Sequence, residues 1–176
     1  TFFEENTKQL NLFVMGVGNV GEKFIEQIHQ QKKYLKENLK INLRVIALSN
    51  SRKMHFDEEG ISLKDWQSLV ENGEATSKEG FISKVAALNL RNSIFVDITA
   101  NEEVSKTYEQ YLKQNVAVVT CNKIACSSAY ANYKNLKNLS RQFKAPFLFE
   151  TNVGAGLPII DTVKNLIASG DKVNKI

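Results

Sequence analysis

Cysteine is scarce in this chain of 176 residues, which contains only Cys121 and Cys126. Two cysteines do not make a disulfide scaffold, and free thiols are typical of a reducing cytoplasm, where we expect the protein to be. Long apolar runs are also lacking, since the longest continuous ones span about five residues and a transmembrane helix needs about 20. The sequence therefore predicts no membrane partner.

Neither sign of charge dominates the chain. Lys and Arg number 23, Asp and Glu number 19, and the net charge is +4. The densest basic group, Lys32, Lys33, Lys36 and Lys40, falls at the end of a predicted helix, where the helix dipole favours cations. We therefore expect no nucleic-acid partner. Hydrophobic residues make up 43% and charged residues 24%, as in ordinary globular domains, which excludes a disordered tail and a collagen-like fibre.

Apolar runs alternate with segments of helical periodicity, which is the pattern of a parallel sheet with crossover helices. The predicted strands are Leu10–Met15, Leu43–Leu48, Ser93–Thr99, Val116–Thr120 and Pro146–Phe149. The predicted helices cover roughly 20–36, 62–70, 81–88, 101–112, 127–143 and 158–170. We expect one α/β domain with a doubly wound, mainly parallel sheet and helices on both faces.

A glycine-rich turn, Gly16-Val17-Gly18-Asn19-Val20-Gly21, joins the first predicted strand to the first helix. It matches the G-x-G-x-x-G pattern in the strand–turn–helix context in which that pattern binds dinucleotides. There, Gly16 permits the tight turn, Gly18 lets the backbone approach a pyrophosphate, and Gly21 lets the helix pack closely on the strand. The helix N-terminus favours the phosphates. A purely structural glycine turn is the alternative.

The residues after the second strand indicate which dinucleotide fits. An NAD site usually has an acid there, which accepts hydrogen bonds from the ribose 2′-hydroxyl. This chain has Asn50-Ser51-Arg52-Lys53, and its next acid is Asp57. Ser51 can donate to a 2′-phosphate and Arg52 can bind one bidentately, which favours NADP(H). A solvated polar turn is the alternative.

Two more turns follow central strands, Thr99-Ala100-Asn101 and Thr120-Cys121-Asn122-Lys123. Ligands of open parallel sheets lie beyond the carboxyl ends of the strands, so both turns are candidates to line the nicotinamide side. Lys123 can protonate or hydrogen-bond a carbonyl oxygen that gains negative charge during hydride addition. A surface lysine is an equally open interpretation.

The loop Glu150-Thr151-Asn152-Val153-Gly154-Ala155-Gly156-Leu157-Pro158 is dense in glycine for a connection from strand to helix. Glycines on either side of Ala155 can turn several backbone carbonyls toward one point. With the Glu150 carboxylate, they make a set of hard oxygen donors suited to a group I or II cation. A flexible tight turn is the alternative.

Together these motifs resemble those of homoserine dehydrogenase, in its nucleotide-binding domain. The likeness is greatest to the form fused behind an aspartokinase in bifunctional aspartokinase/homoserine dehydrogenase. It covers nearly the whole chain and is most specific in the segment Thr151–Pro158. It also rests on Phe13–Gly21, on Leu43–Val45 with Asn50-Ser51, and on Val118–Thr120 with Asn122-Lys123.

The resemblance implies a Rossmann-type fold and the reversible, NAD(P)-dependent reduction of L-aspartate 4-semialdehyde to L-homoserine, a step of threonine and methionine biosynthesis. It implies that Lys123 is the catalytic lysine. The implied site for a monovalent cation, usually sodium, consists of Glu150 and the carbonyls of Val153, Ala155 and Leu157. The implied cofactor cradle consists of Gly16, Val17, Gly18, Asn19, Val20, Gly21, Asn50, Ser51, Arg52, Thr99, Ala100, Asn101 and Lys123.

The chain begins at Thr1 rather than Met and ends on Lys172–Ile176, which has the pattern of a starting strand. We therefore expect a piece of a longer protein, with residues 1–9 as a lead-in, residues 10–170 as the NAD(P)-binding domain and residues 171–176 as the start of a substrate domain. In the family, that second domain supplies another lysine, an acidic partner and most substrate contacts. We expect this piece to bind cofactor without turning over homoserine, and to form homo-oligomers through regions outside this sequence.

Two other functions remain open. One is a non-catalytic regulatory module that senses NADP(H), as a bare nucleotide-binding domain can. The other is a semialdehyde-oxidising dehydrogenase that forms a thioester at Cys121 or Cys126, which needs a histidine close to the thiol. Cys121 is also a departure from the family pattern, since many relatives have proline before the Asn-Lys pair.

Overall fold

A computed structural model describes residues 7–18, 21–121 and 130–149. Its strands are β1 (Lys8–Met15), β2 (Ile41–Ser49), β3 (Lys53–Phe56), β4 (Glu74–Ala75), β5 (Ser93–Asp97), β6 (Ala117–Thr120) and β7 (Phe147–Phe149). Its helices are α1 (Gly21–Leu39), α2 (Trp66–Glu71), α3 (Lys78–Leu88), α4 (Glu102–Ser105), α5 (Tyr108–Leu112) and α6 (Tyr130–Phe143). The helix start predicted at 127–128 and the helix predicted over 158–170 lie outside the described residues.

The strands form one sheet in the order β4-β3-β2-β1-β5-β6-β7. Pairing is parallel from β2 across β1, β5 and β6 to β7, whereas β3 and β4 are antiparallel additions at one edge. From β1 the chain moves outward to β2, β3 and β4, then returns to the other side of β1 for β5. The strand order therefore reverses between β1 and β5, which is where open α/β sheets bind ligands. This topology confirms the predicted doubly wound α/β class.

Strand β1 is buried on both faces, as its mostly apolar sequence from Leu10 to Met15 predicts. Every residue from Leu10 to Met15 is at most 4% exposed. Leu12 and Val14 belong to the core that includes α1 and α2, whereas Phe13 and Met15 belong to the core that includes α3, α4, α5 and α6. Helices thus cover both faces of the sheet, as predicted. None of the helices in the described ranges combines the length and apolarity needed to cross a membrane.

Strands β3 and β4 were not expected, because the sequence predicts no strand between 49 and 89. Strand β3 has four residues and pairs antiparallel with the end of β2, and β4 has only two residues, both exposed. Such short strands at a sheet edge carry no apolar run and no clear alternation.

The helix predicted at Ser62 begins later. Residues 62–65 form a turn in which the Asp65 N–H donates to the Ser62 carbonyl over 3.2 Å, and α2 begins at Trp66. The Asp65 side chain makes no capping bond there. The prediction that this helix starts at Ser62, which was made from the capping-box spacing, is therefore wrong.

The single helix predicted after Asn101 is divided into α4 and α5. Two hydroxyls compete for backbone carbonyls at the break: Ser105 donates to Glu102 over 2.5 Å, and Thr107 donates to Val104 over 2.6 Å. Side chains of this kind favour turns over continued helix. The division directs α5 so that Tyr108 lies beneath the carboxyl ends of β5 and β6, where it is fully buried.

Candidate functional site

A cleft of about 700 Å³ opens at the carboxyl ends of β1 and β5, the position where the strand order reverses. Four segments line it: the glycine turn after β1, the turn after β2, the segment that enters α3, and the turn after β5. Three of these four segments were predicted to line a ligand site. The fourth segment, Thr76–Glu79 at the entry to α3, was not predicted to line a ligand site.

The glycine turn approaches the turn after β5 very closely. Gly16 has φ +107°, and a Cβ there would lie 2.7 Å from the Thr99 backbone nitrogen. A Cβ on Gly21 would lie 2.8 Å from the Cβ of Val17, so α1 packs tightly on the turn. Gly18 differs from both, because a Cβ there meets no protein atom within 4 Å and the residue lines the cleft. The backbone at Gly18 is thus open to a ligand.

Two further residues of the predicted glycine cradle, Val17 and Gly21, do not line the cleft. Val17 is buried in the core at 5% exposure, and its N–H, like that of Gly16, donates to the Ser49 carbonyl. Gly21 contributes helix packing rather than lining. Asn19 and Val20 lie outside the described residues.

The Asn50 side chain shapes the turn after β2. Its Oδ1 accepts from the backbone N–H groups of Arg52 and Lys53, over 2.8 and 2.7 Å. Asn50 and Ser51 line the cleft, whereas the Arg52 side chain is exposed and does not. Of the three residues predicted in this turn, the structure therefore brings two to the cleft.

A hydrogen-bonded tie fastens the segment before α3 to that same turn. The Thr76 hydroxyl lies 2.9 Å from the fully buried Ser49 hydroxyl and donates to the Asn50 carbonyl over 3.1 Å. The Thr76 N–H donates to the Arg52 carbonyl over 2.9 Å. Ser77 follows and caps α3, its hydroxyl accepting from Gly80 N–H over 3.0 Å. Ser77 was detectable as an N-cap before an apolar helical face, but its place at the cleft depends on contacts 26 and 27 residues apart.

Asp97, at the end of β5, supports the turn that lines the opposite wall. The carboxylate is fully buried, and its Oδ1 accepts from Thr99 N–H over 2.8 Å. The Thr99 hydroxyl accepts from Asn101 N–H over 3.2 Å, and the Asn101 side chain caps α4 by accepting from Glu103 N–H over 2.8 Å. Thr99, Ala100 and Asn101 all line the cleft, as predicted for this turn.

Below that wall, a buried network joins the ends of β5 and β6. The Tyr108 hydroxyl donates to Asp97 Oδ2 and lies 2.6 Å from the Thr120 hydroxyl. The Cys121 N–H donates to the Asp97 carbonyl over 2.8 Å. Burial, with the nearby charge of Asp97, raises the pKa of Tyr111 well above its usual value. Sequence reasoning missed this network, because Asp97 stands in an otherwise apolar strand.

The predicted catalytic and cation-binding residues are not among those described. Lys123, Cys126, Glu150, Val153, Ala155 and Leu157 all lie outside the described ranges. Cys121 is described, and its side chain is 2% exposed, so its thiol is shielded from solvent. Within residues 7–18, 21–121 and 130–149, no group of three or more His, Cys, Asp or Glu side chains is arranged to hold a metal ion.

Comparisons with known proteins point to a single family. A family model described as homoserine dehydrogenase, NAD binding domain, matches residues 16–150. A bifunctional aspartokinase/homoserine dehydrogenase of Haemophilus influenzae is 41% identical over 170 residues, which are 96% of this chain and 21% of the relative. A homoserine dehydrogenase of Schizosaccharomyces pombe is 34% identical over 171 residues, 95% of this chain and 45% of the relative.

The solved structures show the same fold. A hyperthermophilic archaeal homoserine dehydrogenase in complex with NADPH has a TM-score of 0.67 and 24% identity, over 86% of this chain and 47% of that one. This chain therefore spans less than half of each of these relatives, and only about a fifth of the bifunctional one.

Proposed function

The chain belongs to the homoserine dehydrogenase family, in its NAD-binding domain, and from this premise we propose that its cleft binds NADP(H) for the reversible reduction of L-aspartate 4-semialdehyde to L-homoserine. The observation that carries the proposal is the position of the cleft. It lies between the glycine turn after β1 and the Thr99–Asn101 turn after β5, where the strand order reverses.

The glycine turn fits the diphosphate of such a cofactor. Gly18 lines the cleft, and the space that its missing Cβ leaves is free of protein atoms within 4 Å. A diphosphate there also meets the N-terminal end of α1, whose backbone N–H groups and dipole favour negative charge. Gly16 and Gly21 keep the turn in this shape through close contacts with Thr99 and Val17.

The lack of an acid in the turn after β2 supports NADP(H) over NAD(H). Asn50 and Ser51 line the cleft where the ribose 2′ position of a dinucleotide lies. Asn50 Oδ1 accepts from two backbone N–H groups, and the Asn50 side-chain NH2 group and the Ser51 hydroxyl can both donate to a phosphate at this point of the turn.

For the reaction itself, bound NADPH supplies the hydride. We assign to Lys123 the task of donating a proton or a hydrogen bond to the carbonyl oxygen of the semialdehyde, since it follows β6 in the sequence and matches the catalytic lysine of the family. The network of Asp97, Tyr108 and Thr120 holds the ends of β5 and β6, and thereby the strand end from which that segment departs.

The wider organisation is also a proposal. Residues 10–170 form the cofactor domain, between a lead-in over 1–9 and a substrate domain that starts at 171–176. Glu150 and the carbonyls of Val153, Ala155 and Leu157 hold a sodium ion. We further propose a cytoplasmic protein that forms homo-oligomers through regions outside this sequence. Hydride transfer needs the substrate domain, so the 176-residue chain binds cofactor but does not oxidise homoserine.

A titration tests the cofactor assignment directly. The purified chain is titrated with NADPH and, separately, with NADH, and the cofactor fluorescence is followed. We expect NADPH to bind at least tenfold more tightly, about 1.4 kcal/mol. Equal binding would contradict the NADP(H) preference and leave the dehydrogenase assignment intact. Failure of a folded chain to bind either cofactor would contradict the assignment of the cleft.

A further inference from the structure

Among the described residues that line the cleft, two carry a charge, and neither was predicted there. They are Lys78 and Glu79, the first two residues of α3. Lys78 is half-buried, whereas Arg52, the cation that the sequence predicts for a 2′-phosphate, is exposed and outside the lining. The basic side chain on this rim of the cleft thus comes from α3.

The fold holds Lys78 at the rim. Thr76, two residues before it, is bonded to the turn after β2 through Ser49, the Asn50 carbonyl and the Arg52 carbonyl. The Ser49 hydroxyl is fully buried, so this tie is shielded from competing water. The start of α3 is therefore fixed beside Ser51.

The positive charge of Lys78 also acts on the neighbouring helix α4. Glu103 lies in the first turn of α4, two residues after Asn101. An ion pair with Lys106 at 2.9 Å lowers the pKa of the Glu103 carboxyl, and the charge of Lys78 lowers it further. Lys78 is thus close enough to α4 for its charge to favour the ionised Glu103 carboxyl, and Lys78 itself lines the cleft.

Glu79 is the opposing charge on the same rim. Its carboxylate accepts a long hydrogen bond, 3.4 Å, from the Ser77 hydroxyl, which places it beside the N-cap of α3. A carboxylate in this position repels a phosphate and can accept a hydrogen bond from a free ribose hydroxyl. The two neighbours thus favour opposite forms of the cofactor.

We propose that Lys78, rather than Arg52, is the residue that distinguishes NADPH from NADH in this chain, by contacting the 2′-phosphate beside Ser51. Glu79 limits that preference. This inference rests on the proposed function, since it refines which side chain selects the cofactor in the cleft already assigned. A lysine suits the task because its ammonium is a compact charge at the end of a flexible stem.

Four variants test the proposal in parallel. They are Lys78→Gln, Glu79→Gln, Arg52→Gln and, as matched control, Lys53→Gln, an exposed cation at the start of β3 that does not line the cleft. The dissociation constants for NADPH and NADH are measured for each at one ionic strength, because charge effects are screened by salt. Thermal melting checks that each variant folds, and Lys78→Arg serves as the rescue.

The expected pattern is selective. Lys78→Gln weakens NADPH binding about tenfold and changes NADH binding less than about twofold, while Lys78→Arg retains the preference. Glu79→Gln tightens NADPH binding about threefold. Arg52→Gln and Lys53→Gln change both constants less than about threefold.

Two results would overturn this inference without contradicting the proposed function. One is a selective loss of NADPH binding in Arg52→Gln with Lys78→Gln unaffected, and the other is an equal loss of both cofactors in Lys78→Gln. Each of them leaves NADP(H) binding by the wild-type chain in place. If the folded wild-type chain binds neither cofactor, the proposed function fails as well, so the two failures are distinguishable.

Discussion

The Tyr108 hydroxyl donates a hydrogen bond to the buried carboxylate of Asp97, which ties the start of α5 to the end of β5. The same hydroxyl lies 2.6 Å from Thr120 Oγ1 at the end of β6. All three residues are fully buried, at 0% exposure. One phenol thus fixes the two strand ends that lead into the Thr99–Asn101 turn and into the segment of Lys123.

Removal of that hydroxyl is expected to be costly. Tyr108→Phe keeps the ring in the core but leaves Asp97 Oδ2 and the Thr120 hydroxyl with one partner fewer. Because a hydrogen bond to a buried charged group is lost, the free energy of unfolding should fall by about 2–3 kcal/mol. Urea denaturation measures this. Tyr133→Phe, a half-buried tyrosine on α6, is the control, and an equal loss in both variants would contradict the role of the network.

The raised pKa of Tyr111 predicts that the free energy of unfolding depends on pH. Burial raises its pKa well above the usual value near 10.0, so the folded chain holds this proton more tightly than the unfolded chain does. Its contribution is fully present below pH 10 and is lost as the pH rises toward the folded pKa, because the unfolded state then releases the proton first.

Tyr111→Phe isolates that contribution. The variant retains the ring stacked on Phe95, at 4.0 Å between centroids and 8° between planes. We expect a change of less than about 1 kcal/mol at pH 7, and a variant that becomes progressively more stable than wild type above about pH 10. Urea denaturation at several pH values gives the difference. A difference that stays constant between pH 7 and pH 11 would contradict the raised pKa.

Alanine substitutions at Gly18 and Gly21 are expected to have different effects, one on NADPH binding and the other on the stability of the fold. Gly18→Ala adds a Cβ that meets no protein atom within 4 Å, so we expect the stability to change by less than about 0.5 kcal/mol. The same methyl group occupies space that we assign to the cofactor diphosphate, and NADPH binding should weaken about tenfold or more.

Gly21→Ala is the opposite case. Its Cβ would lie 2.8 Å from the Val17 Cβ, so α1 must shift, and we expect a loss of stability of about 1–3 kcal/mol. Thermal melting and NADPH titration of both variants check the pair. Normal NADPH affinity in Gly18→Ala would exclude the close approach of the cofactor to this turn.

Asn101 is expected to stabilise α4 through its cap. Asn101→Ala removes the acceptor for the N–H groups of Glu103 and Val104, at 2.8 and 3.4 Å, and should cost about 0.5–2 kcal/mol. Asn101→Asp keeps an acceptor oxygen in the same place and should retain most of the stability. Comparison of their urea midpoints tests the cap. Equal destabilisation by both substitutions would show that the side-chain oxygen is not what matters.

Much of the fold is predictable from local signals. The apolar run of β1, the glycine turn and the periodic face of α1 are each contained in one short stretch of sequence, and together they fix where the cleft begins. The class of sheet follows from the alternation of strands and helices, and the turn after β5 follows from the position of that strand.

The remainder depends on contacts between distant residues. The bonds between Thr76 and the turn after β2 join residues up to 27 positions apart, and they hold the start of α3, and with it Lys78, at the cleft. Arg52 is exposed and does not line the cleft, which its position directly after Ser51 does not indicate. Asp97 reads as an interruption of an apolar strand until the fold places Tyr108 beneath it.

The most direct test of the account is to locate NADPH on the folded chain. Backbone amide signals of the isotopically labelled protein are followed by NMR during a titration with NADPH. We predict that the largest shifts fall on Gly16, Gly18, Ser51 and Thr99, while Asn92 and Asn115, which line a groove at the amino ends of the strands, stay unchanged. Shifts that cluster at that groove, or none in a folded chain at saturating NADPH, would contradict the assignment of the cleft as the cofactor site.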